Sequence, residues 1–222
     1  MCIDKNPAKI KSLFNEISPY YDFINDIISF KTHYFIKIFA LKNLKIKDNS
    51  KMLDLACGTG DIVKIVSKYY PKTDIIGLDI SDKMLEIAKK KNPKKNFVLG
   101  DIINLKYEEN EFDYITIFFG LRNVENRTKA ISEIYRVLKK DGLFLHLDFG
   151  EDNFLSKIFD FITPHLAKLF GKNKEHYKYL IESKNDFLKP DKLIEKFEKA
   201  GFKFVSKKYF LFKTISYQIM KK

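Results

Sequence analysis

The sequence predicts an α/β fold: a mostly parallel seven-stranded sheet wound on both faces by helices, with an antiparallel last strand. Three observations predict it. Residues 51–148 alternate short apolar runs with helical periodicities, the pattern of successive β-α units. The first of those runs ends in a glycine turn that opens a helix. Two further apolar runs close the chain with only a short turn between them, as in an antiparallel ending.

Each element has its own warrant. In residues 9–44, Leu13, Ile17, Tyr20, Tyr21, Ile24, Ile27 and Ile28 recur at spacings of three and four, which is the amphipathic helical period. Pro19 disfavours helix in the residue before it and breaks the run at Ser18. A further helix is predicted over 33–44. A strand over 52–55 precedes a helix over 62–69, and a strand over 75–79 precedes a helix over 82–91 with Met84, Ile87 and Ala88 on one face. Strands follow at 97–99 and 113–119. A helix over 128–138 takes Gly142 as its C-terminal stop, and a strand occupies 143–147. Residues 153–185 hold two helical patterns and no strand; as an insertion at the carboxyl edge of the sheet, they are expected to form a lid. A helix over 193–200 and strands over 202–209 and 214–220 complete the chain. The whole reads as one domain: a helical cover (9–44), a core (51–148), the insertion (153–185) and a C-terminal helix with two strands (190–222).

Composition narrows the class. Of 222 residues, 45% are hydrophobic and 32% charged, enough apolar surface to bury a core. No run reaches the ~18 apolar residues of a membrane-spanning helix. The polar start, residues 1–7, has no apolar core of a signal peptide, so a cytoplasmic protein is expected. Cys2 and Cys57 cannot build a disulfide framework or a zinc cluster, and no metal is expected. The net charge of +12 is nearly all lysine, with arginine only at Arg122, Arg127 and Arg136. Such a balance reflects either codon bias or attraction to anions. The lysines are scattered among Asp and Glu rather than clustered with aromatics, so a nucleic-acid partner is not expected.

The strongest local signal is Asp54-Leu-Ala-Cys-Gly58-Thr59-Gly60-Asp61, following a strand and opening a helix. Gly58 and Gly60 let backbone approach a ligand, and the helix N-terminus offers free N–H donors. Asp79, nineteen residues beyond Gly60 at the end of the second strand, is placed to accept both hydroxyls of a ribose. Asp101, after Gly100 at the end of the third strand, can accept from an adenine amine. The third glycine of a dinucleotide fingerprint is missing, no G-K-[ST] phosphate loop occurs, and Asp54 and Asp61 would repel a pyrophosphate. An anionic loop of this kind fits a phosphate-free cationic cofactor, S-adenosylmethionine, with Asp54 or the carbonyls it orders facing the amino-acid end.

These blocks resemble those of class I methyltransferases, whose fold is Rossmann-like, and more narrowly the ubiquinone/menaquinone biosynthesis C-methyltransferases. Phe14-x₅-Tyr20-Tyr21-Asp22-x₂-Asn25-Asp26-x₂-Ser29-Phe30-x₂-His33 is similar to that family's N-terminal signature. Phe119-Gly120-Leu121-Arg122-Asn123-Val124 resembles its second, and Tyr135-Arg136-Val137-Leu138-Lys139 the segment after it. His176-Tyr177-x-Tyr179-Leu180-x-Glu182-Ser183 is similar to the motif of its inserted helices. The resemblance implies methylation of a ring carbon of a polyprenylated quinol, with Thr59, Asp79, Asp101 and Ile102 lining the cofactor site. Phe118 stands where some members carry a Ser that contacts the cofactor and others a Gly, and Cys57 where many carry Gly.

Methyl transfer to a quinol carbon needs an ionised ring hydroxyl, hence a base or a fixed cation, and tight positioning. Arg122 is the candidate cation, against the alternative of simply pairing with a carboxylate such as Glu125; its pKa is too high for a free base. Tyr21, on the segment able to close over the site, and Asn123, able to fix a ring oxygen, complete the catalytic candidates. Asp22 is weighed as a helix N-cap, and His33 and His146 as structural. His165 and His176 lie in the insertion, the latter a candidate supporting residue. Phe154, Ile158, Phe159, Phe161, Ile162, Leu166 and Phe170 make one insertion helix apolar, with Lys157, Lys168, Lys172 and Lys174 nearby. That composition suits either helix packing or peripheral contact with an anionic membrane. A homodimer is a further expectation.

Overall fold

The computed structural model describes residues 4–158, 160–161 and 174–222. The expectations placed on Cys2, Phe159, Ile162, His165, Leu166, Lys168, Phe170 and Lys172, and on the side chains of Lys174 and His176, lie outside the described residues. Asn6 caps the first helix by accepting from Ala8 N, with Pro7 at its first turn. This α1 (Pro7–Ile17) gives way at Ser18-Pro19 to one 3₁₀ turn and then α2 (Tyr21–Ser29), as the proline requires. The third helix, α3 (Thr32–Asn43), follows a turn in which Phe30 and Lys31 both take positive φ.

The core alternates as its periodicity demands: β1 (Lys51–Leu55), α4 (Asp61–Tyr69), β2 (Asp74–Asp79), α5 (Asp82–Lys91), β3 (Asn96–Leu99), β4 (Phe112–Phe118), α6 (Arg127–Val137) and β5 (Leu138–Phe149). Residues 154–158 are helical, and α7 (Lys174–Asn185), α8 (Pro190–Lys199), β6 (Lys203–Phe210) and β7 (Ile215–Lys221) follow. The seven strands form one sheet in the order β3-β2-β1-β4-β5-β7-β6, and β7 alone runs antiparallel. The strand order reverses between β2-β1 and β4, the position at which open α/β sheets bind ligands.

Strand periodicity divides the core between the two faces. Met52, Tyr114 and Phe118 pack under α3, α4 and α5, whereas Leu53, Leu55, Ile115 and Ile117 pack under α6 and α8. Each fully buried Leu or Ile contributes roughly 2 kcal/mol, so both faces are strongly covered.

Gly142 is not a helix stop. α6 ends at Val137, where Leu138 turns directly into extended backbone, and Gly142 lies inside β5. The register against β4 jumps there from Phe112↔Leu138 to Tyr114↔Leu143. An added Cβ at Gly142 would sit 2.8 Å from the Lys139 carbonyl oxygen, so glycine is required by the irregularity rather than by the helix.

Candidate active site

A cleft open to solvent lies at the carboxyl edge of the sheet between β2, β1 and β4. Open α/β sheets bind small molecules at that position. Gly58, Asp79, Asp101, Ile102, Phe118, Tyr21 and Asn123 line it. Asp54, Thr59, Gly60 and Arg122 do not; all four are buried in its supporting structure.

The glycine loop is built by backbone constraint. Gly58 and Gly60 both hold positive φ (53° and 83°), and a Cβ on Gly60 would press on Asn92, Ala88 and Phe97 at 3.0–3.1 Å. Asp79 locks this loop to β2. Its Oδ2 accepts from Gly58 N at 2.8 Å and its Oδ1 from Ser81 N at 2.9 Å. Burial pushes the Asp79 carboxyl up, and the backbone donors pull it back. Each oxygen retains a second lone pair for a ligand hydroxyl.

Asp54 sits below the cleft, in the sheet. Thr116 Oγ1 donates to its Oδ1 at 2.7 Å, and its Oδ2 is buried without a hydrogen bond. Desolvation raises its pKa to about 7. Asp61 faces the other way. Burial raises its pKa, but Lys37 and Lys91, each 2.9 Å from one of its oxygens, more than offset that and hold it well below the carboxylate range.

Lys91 extends the cluster to the N-terminal cover. Its Nζ donates to Asp22 Oδ2 at 2.9 Å and to Thr59 Oγ1 at 3.1 Å, while Thr59 Oγ1 donates to Asp22 Oδ1 at 2.5 Å. Asp22 is therefore not an N-cap; it ties α2 to the glycine loop. A second tie joins α1 to the start of α5, where Asn15 Oδ1 accepts from Ser81 Oγ at 2.6 Å. These two ties bring Tyr21 and Phe14 over the cleft, ring edge to ring face at 6.4 Å. Burial raises the Tyr21 pKa and the Arg122 cation lowers it, with a net upward shift, so Tyr21 is a protonated phenol at neutral pH.

The opposite wall is the Phe119–Val124 segment. Ala56 and Phe119, which follow β1 and β4, both take positive φ (51° and 55°), a strained conformation for residues with a Cβ. Arg122 does pair with a carboxylate, and it is Asp148, not Glu125: its Nη1 donates to Asp148 Oδ1 at 2.9 Å and to the Phe119 carbonyl at 2.6 Å. Its guanidinium stacks on Phe119 and Phe149. Asn123 faces the cleft, its Oδ1 accepting from the Tyr179 hydroxyl of α7 at 3.0 Å.

His33 and His146 have structural partners. Ser29 Oγ lies 2.6 Å from His33 Nδ1, and burial lowers the His33 pKa to about 4. His146 is buried in β5, with Nδ1 2.7 Å from Gln218 Oε1. Sequence reasoning did not single out Asp148, Lys37, Lys91 or Tyr179, though Tyr179 lies in a quoted motif. Nor did it find Lys5, a buried cleft-lining residue whose Nζ is held by Asp186 at 2.6 Å.

The cleft's charge selects its ligand. Among the described residues, Asp79, Asp101 and Glu125 line it against Lys5 alone, and Lys5 is already paired. Ile80, Met84, Ile102 and Phe118 supply apolar walls. That combination fits a phosphate-free, cationic adenosine compound and disfavours a pyrophosphate.

Comparison with known proteins agrees. The model of the ubiE/COQ5 methyltransferase family matches residues 2–221. A demethylmenaquinone methyltransferase of Staphylococcus haemolyticus is 40% identical over 211 residues, covering 89% of this chain and 88% of the relative. One from Staphylococcus carnosus is 38% identical over 219 residues, covering 93% and 91%. Among solved structures, a SAM-dependent methyltransferase from Thermotoga maritima matches with a TM-score of 0.70 at 20% identity, over 95% of this chain and 99% of that one. One from Aquifex aeolicus matches with a TM-score of 0.63 at 18% identity, over 99% of both chains. These two show the fold.

Proposed function

This chain belongs to the ubiE/COQ5 methyltransferase family, and from that membership we propose that it methylates a ring carbon of a polyprenylated quinol, converting demethylmenaquinol to menaquinol. The full-length likeness to demethylmenaquinone methyltransferases favours the naphthoquinol over the benzoquinol of ubiquinone synthesis. The family model spans nearly every residue, which supports one catalytic domain. No described helix is long and apolar enough to cross a membrane. We place the chain in the cytoplasm, reaching its lipid substrate from the membrane surface.

The observation that carries this reading is the meeting of Tyr21 and Asn123 over the Gly58–Asp79 loop in one cleft. When bound there, S-adenosylmethionine supplies an electrophilic methyl on a sulfonium. Asp79 would hold its ribose hydroxyls, Asp101 and Ile102 its adenine, and the Gly58–Gly60 backbone, ordered from below by Asp54, its amino-acid end. The quinol carbon becomes nucleophilic as a ring hydroxyl gives its proton to water in the open cleft; once the carbon has taken the methyl from sulfur, it releases its own hydrogen to water as a proton and the ring regains aromaticity. Tyr21 donates through its protonated phenol, and Asn123, its oxygen already engaged by Tyr179, donates through Nδ2. Two donors lining one cleft, reaching the same ring oxygen, would stabilise the phenolate in the manner of an oxyanion hole. Arg122, neutralised by Asp148 behind the wall, positions the Phe119–Asn123 turn.

The test is methyl transfer from labelled S-adenosylmethionine to chemically reduced demethylmenaquinol and, separately, to a reduced 2-methoxy-6-prenyl-benzoquinol, followed by mass analysis of the lipid extract. Gain of one CH₂ on the naphthoquinol is the expected result. Gain on the benzoquinol alone would move the chain to ubiquinone synthesis, and gain on neither, with donor binding intact, would overturn the quinol assignment.

A further inference from the structure

The β6–β7 turn holds a phenylalanine outward on a strained backbone. Leu211, Phe212 and Lys213 take positive φ in succession (48°, 52° and 74°), a conformation that residues with a Cβ avoid. Four hydrogen bonds impose it: Gly150 N and Glu151 N donate to the Thr214 and Lys213 carbonyls, Asn153 Nδ2 donates to the Phe212 carbonyl, and Thr214 Oγ1 donates to the Leu211 carbonyl. Phe212 is nonetheless 85% exposed. The strained turn therefore carries a side chain left largely to solvent among the described residues.

The turn joins a second exposed aromatic group. Phe39 of α3 meets Phe210 edge to face at 5.5 Å. Phe35, one helical turn earlier and on the same face, is 74% exposed, and Phe30, in the left-handed turn before α3, is 87% exposed. A monomer seldom displays so many exposed phenylalanines on adjoining elements without a partner. Exposed lysines punctuate the group: Lys31 follows Phe30, Lys208 stacks on Phe39 at 4.9 Å, and Lys213 follows Phe212. β6 runs parallel to β5 and β4, so the β6–β7 turn lies at the same carboxyl edge as the cleft.

We propose that Phe30, Phe35, Phe39 and Phe212 form a docking face for an anionic lipid bilayer, the phenylalanines entering the interface and the lysines meeting the headgroups. The occupant follows from the shape and charge of the surface. Aromatic tips on two turns, each followed by a lysine, and two more on the adjoining face of α3 suit a fluid anionic surface; a second copy of this basic chain would set lysines against lysines. The inference rests on the proposed prenylated substrate, since docking at this edge would present a bilayer-embedded quinol to the cleft.

The experiment is vesicle co-sedimentation of the full chain with phosphatidylcholine alone and with phosphatidylcholine containing phosphatidylglycerol. The wild type is expected to sediment with the anionic vesicles only. The triple variant Phe30→Ser, Phe35→Ser, Phe212→Ser should bind them about tenfold less or weaker still. Lys31→Glu, Lys208→Glu, Lys213→Glu should do the same without removing an apolar group. Thermal melts confirm folding, and methyl transfer to a quinol with a short, water-soluble tail is unchanged in both variants. Equal binding by wild type and variants overturns the proposal. So does a wild-type dimer that the serine variant dissociates, with no vesicle binding, which would make this face a subunit contact. Loss of methyl transfer to every quinol, with vesicle binding intact, would instead count against the substrate reading alone.

Discussion

The Tyr179 hydroxyl donates to Asn123 Oδ1 across 3.0 Å, and both residues are buried. One bond thus couples α7, at the end of the insertion, to the wall of the cleft. Burial pushes the Tyr179 pKa up to about 12, so the phenol remains a donor at any physiological pH. It fixes which end of the Asn123 amide is left to donate.

Tyr179→Phe should therefore lower kcat about tenfold, because a buried acceptor left without its donor costs roughly 1–3 kcal/mol and frees the amide to turn. Affinity for S-adenosylmethionine, measured by calorimetry, should stay within about twofold. A fall in melting temperature with unchanged kcat would reduce the bond to scaffolding.

Asp79→Asn is expected to weaken S-adenosylmethionine binding roughly hundredfold. The amide would turn an NH₂ group on one of two backbone donors, Gly58 N or Ser81 N, and would weaken hydrogen bonds to the ribose hydroxyls worth about 1.5–3 kcal/mol each. Calorimetry reads this directly; unchanged affinity in a folded variant would sink the ribose assignment.

Asp22 joins α2 to the loop through Thr59 and Lys91. Asp22→Ala should raise the KM for S-adenosylmethionine several-fold and speed amide hydrogen exchange over residues 21–29, since the cover then loses its tie near Tyr21. Exchange unchanged over α2 would mean that the Asn15–Ser81 contact alone seats the cover.

What the sequence made legible, and what it did not, divides along contact range. The strands from Met52 to Leu147 and the helices between them declared themselves through local periods, and the Gly58–Gly60 turn and Asp79 through their spacing. The Arg122–Asp148 pair joins residues 26 apart, on a turn and a strand end, and no periodicity links them. Lys37 and Lys91 were two lysines among many until α3 and α5 packed around Asp61. Gly142 read as a helix stop because glycine after a helical run has that meaning most often; the local sequence could not display the bulge against Phe112. Gly120 likewise has a reason visible only in three dimensions, since its Cβ would come within 2.5 Å of the Ala56 Cβ.

Asp54 gives a pH signature. Its folded-state pKa, about 7, lies above the ordinary carboxylate value of 3.8, so between those values the folded chain holds a proton that the unfolded chain has released. Stability must then fall as pH rises from about 4 to about 7. Asp54→Asn keeps an acceptor for Thr116 and cannot ionise. It should melt close to the wild type at pH 4 and several degrees above it at pH 8. A difference that is the same at both pH values would show that Asp54 carries no titration-linked penalty.

Arg122 and Asp148 must be separated as charges and as a clamp. Asp148 is fully buried, so Arg122→Met strands a carboxylate and should cost about 3–5 kcal/mol, roughly a 10 °C fall in melting temperature. The double variant Arg122→Met, Asp148→Leu removes both charges and should melt near the wild type, because a buried ion pair is often replaceable by apolar groups of similar volume. It would still lack the 2.6 Å bond from Arg122 to the Phe119 carbonyl, which holds a residue in positive φ at the turn leading to Asn123. Donor affinity should stay within about twofold, whereas kcat should remain about tenfold down or lower. Recovery of kcat together with stability would make Arg122 purely structural. Persistent loss of kcat in the restored fold identifies the grip on Phe119, and through it the placement of Asn123, as what Arg122 contributes to the reaction.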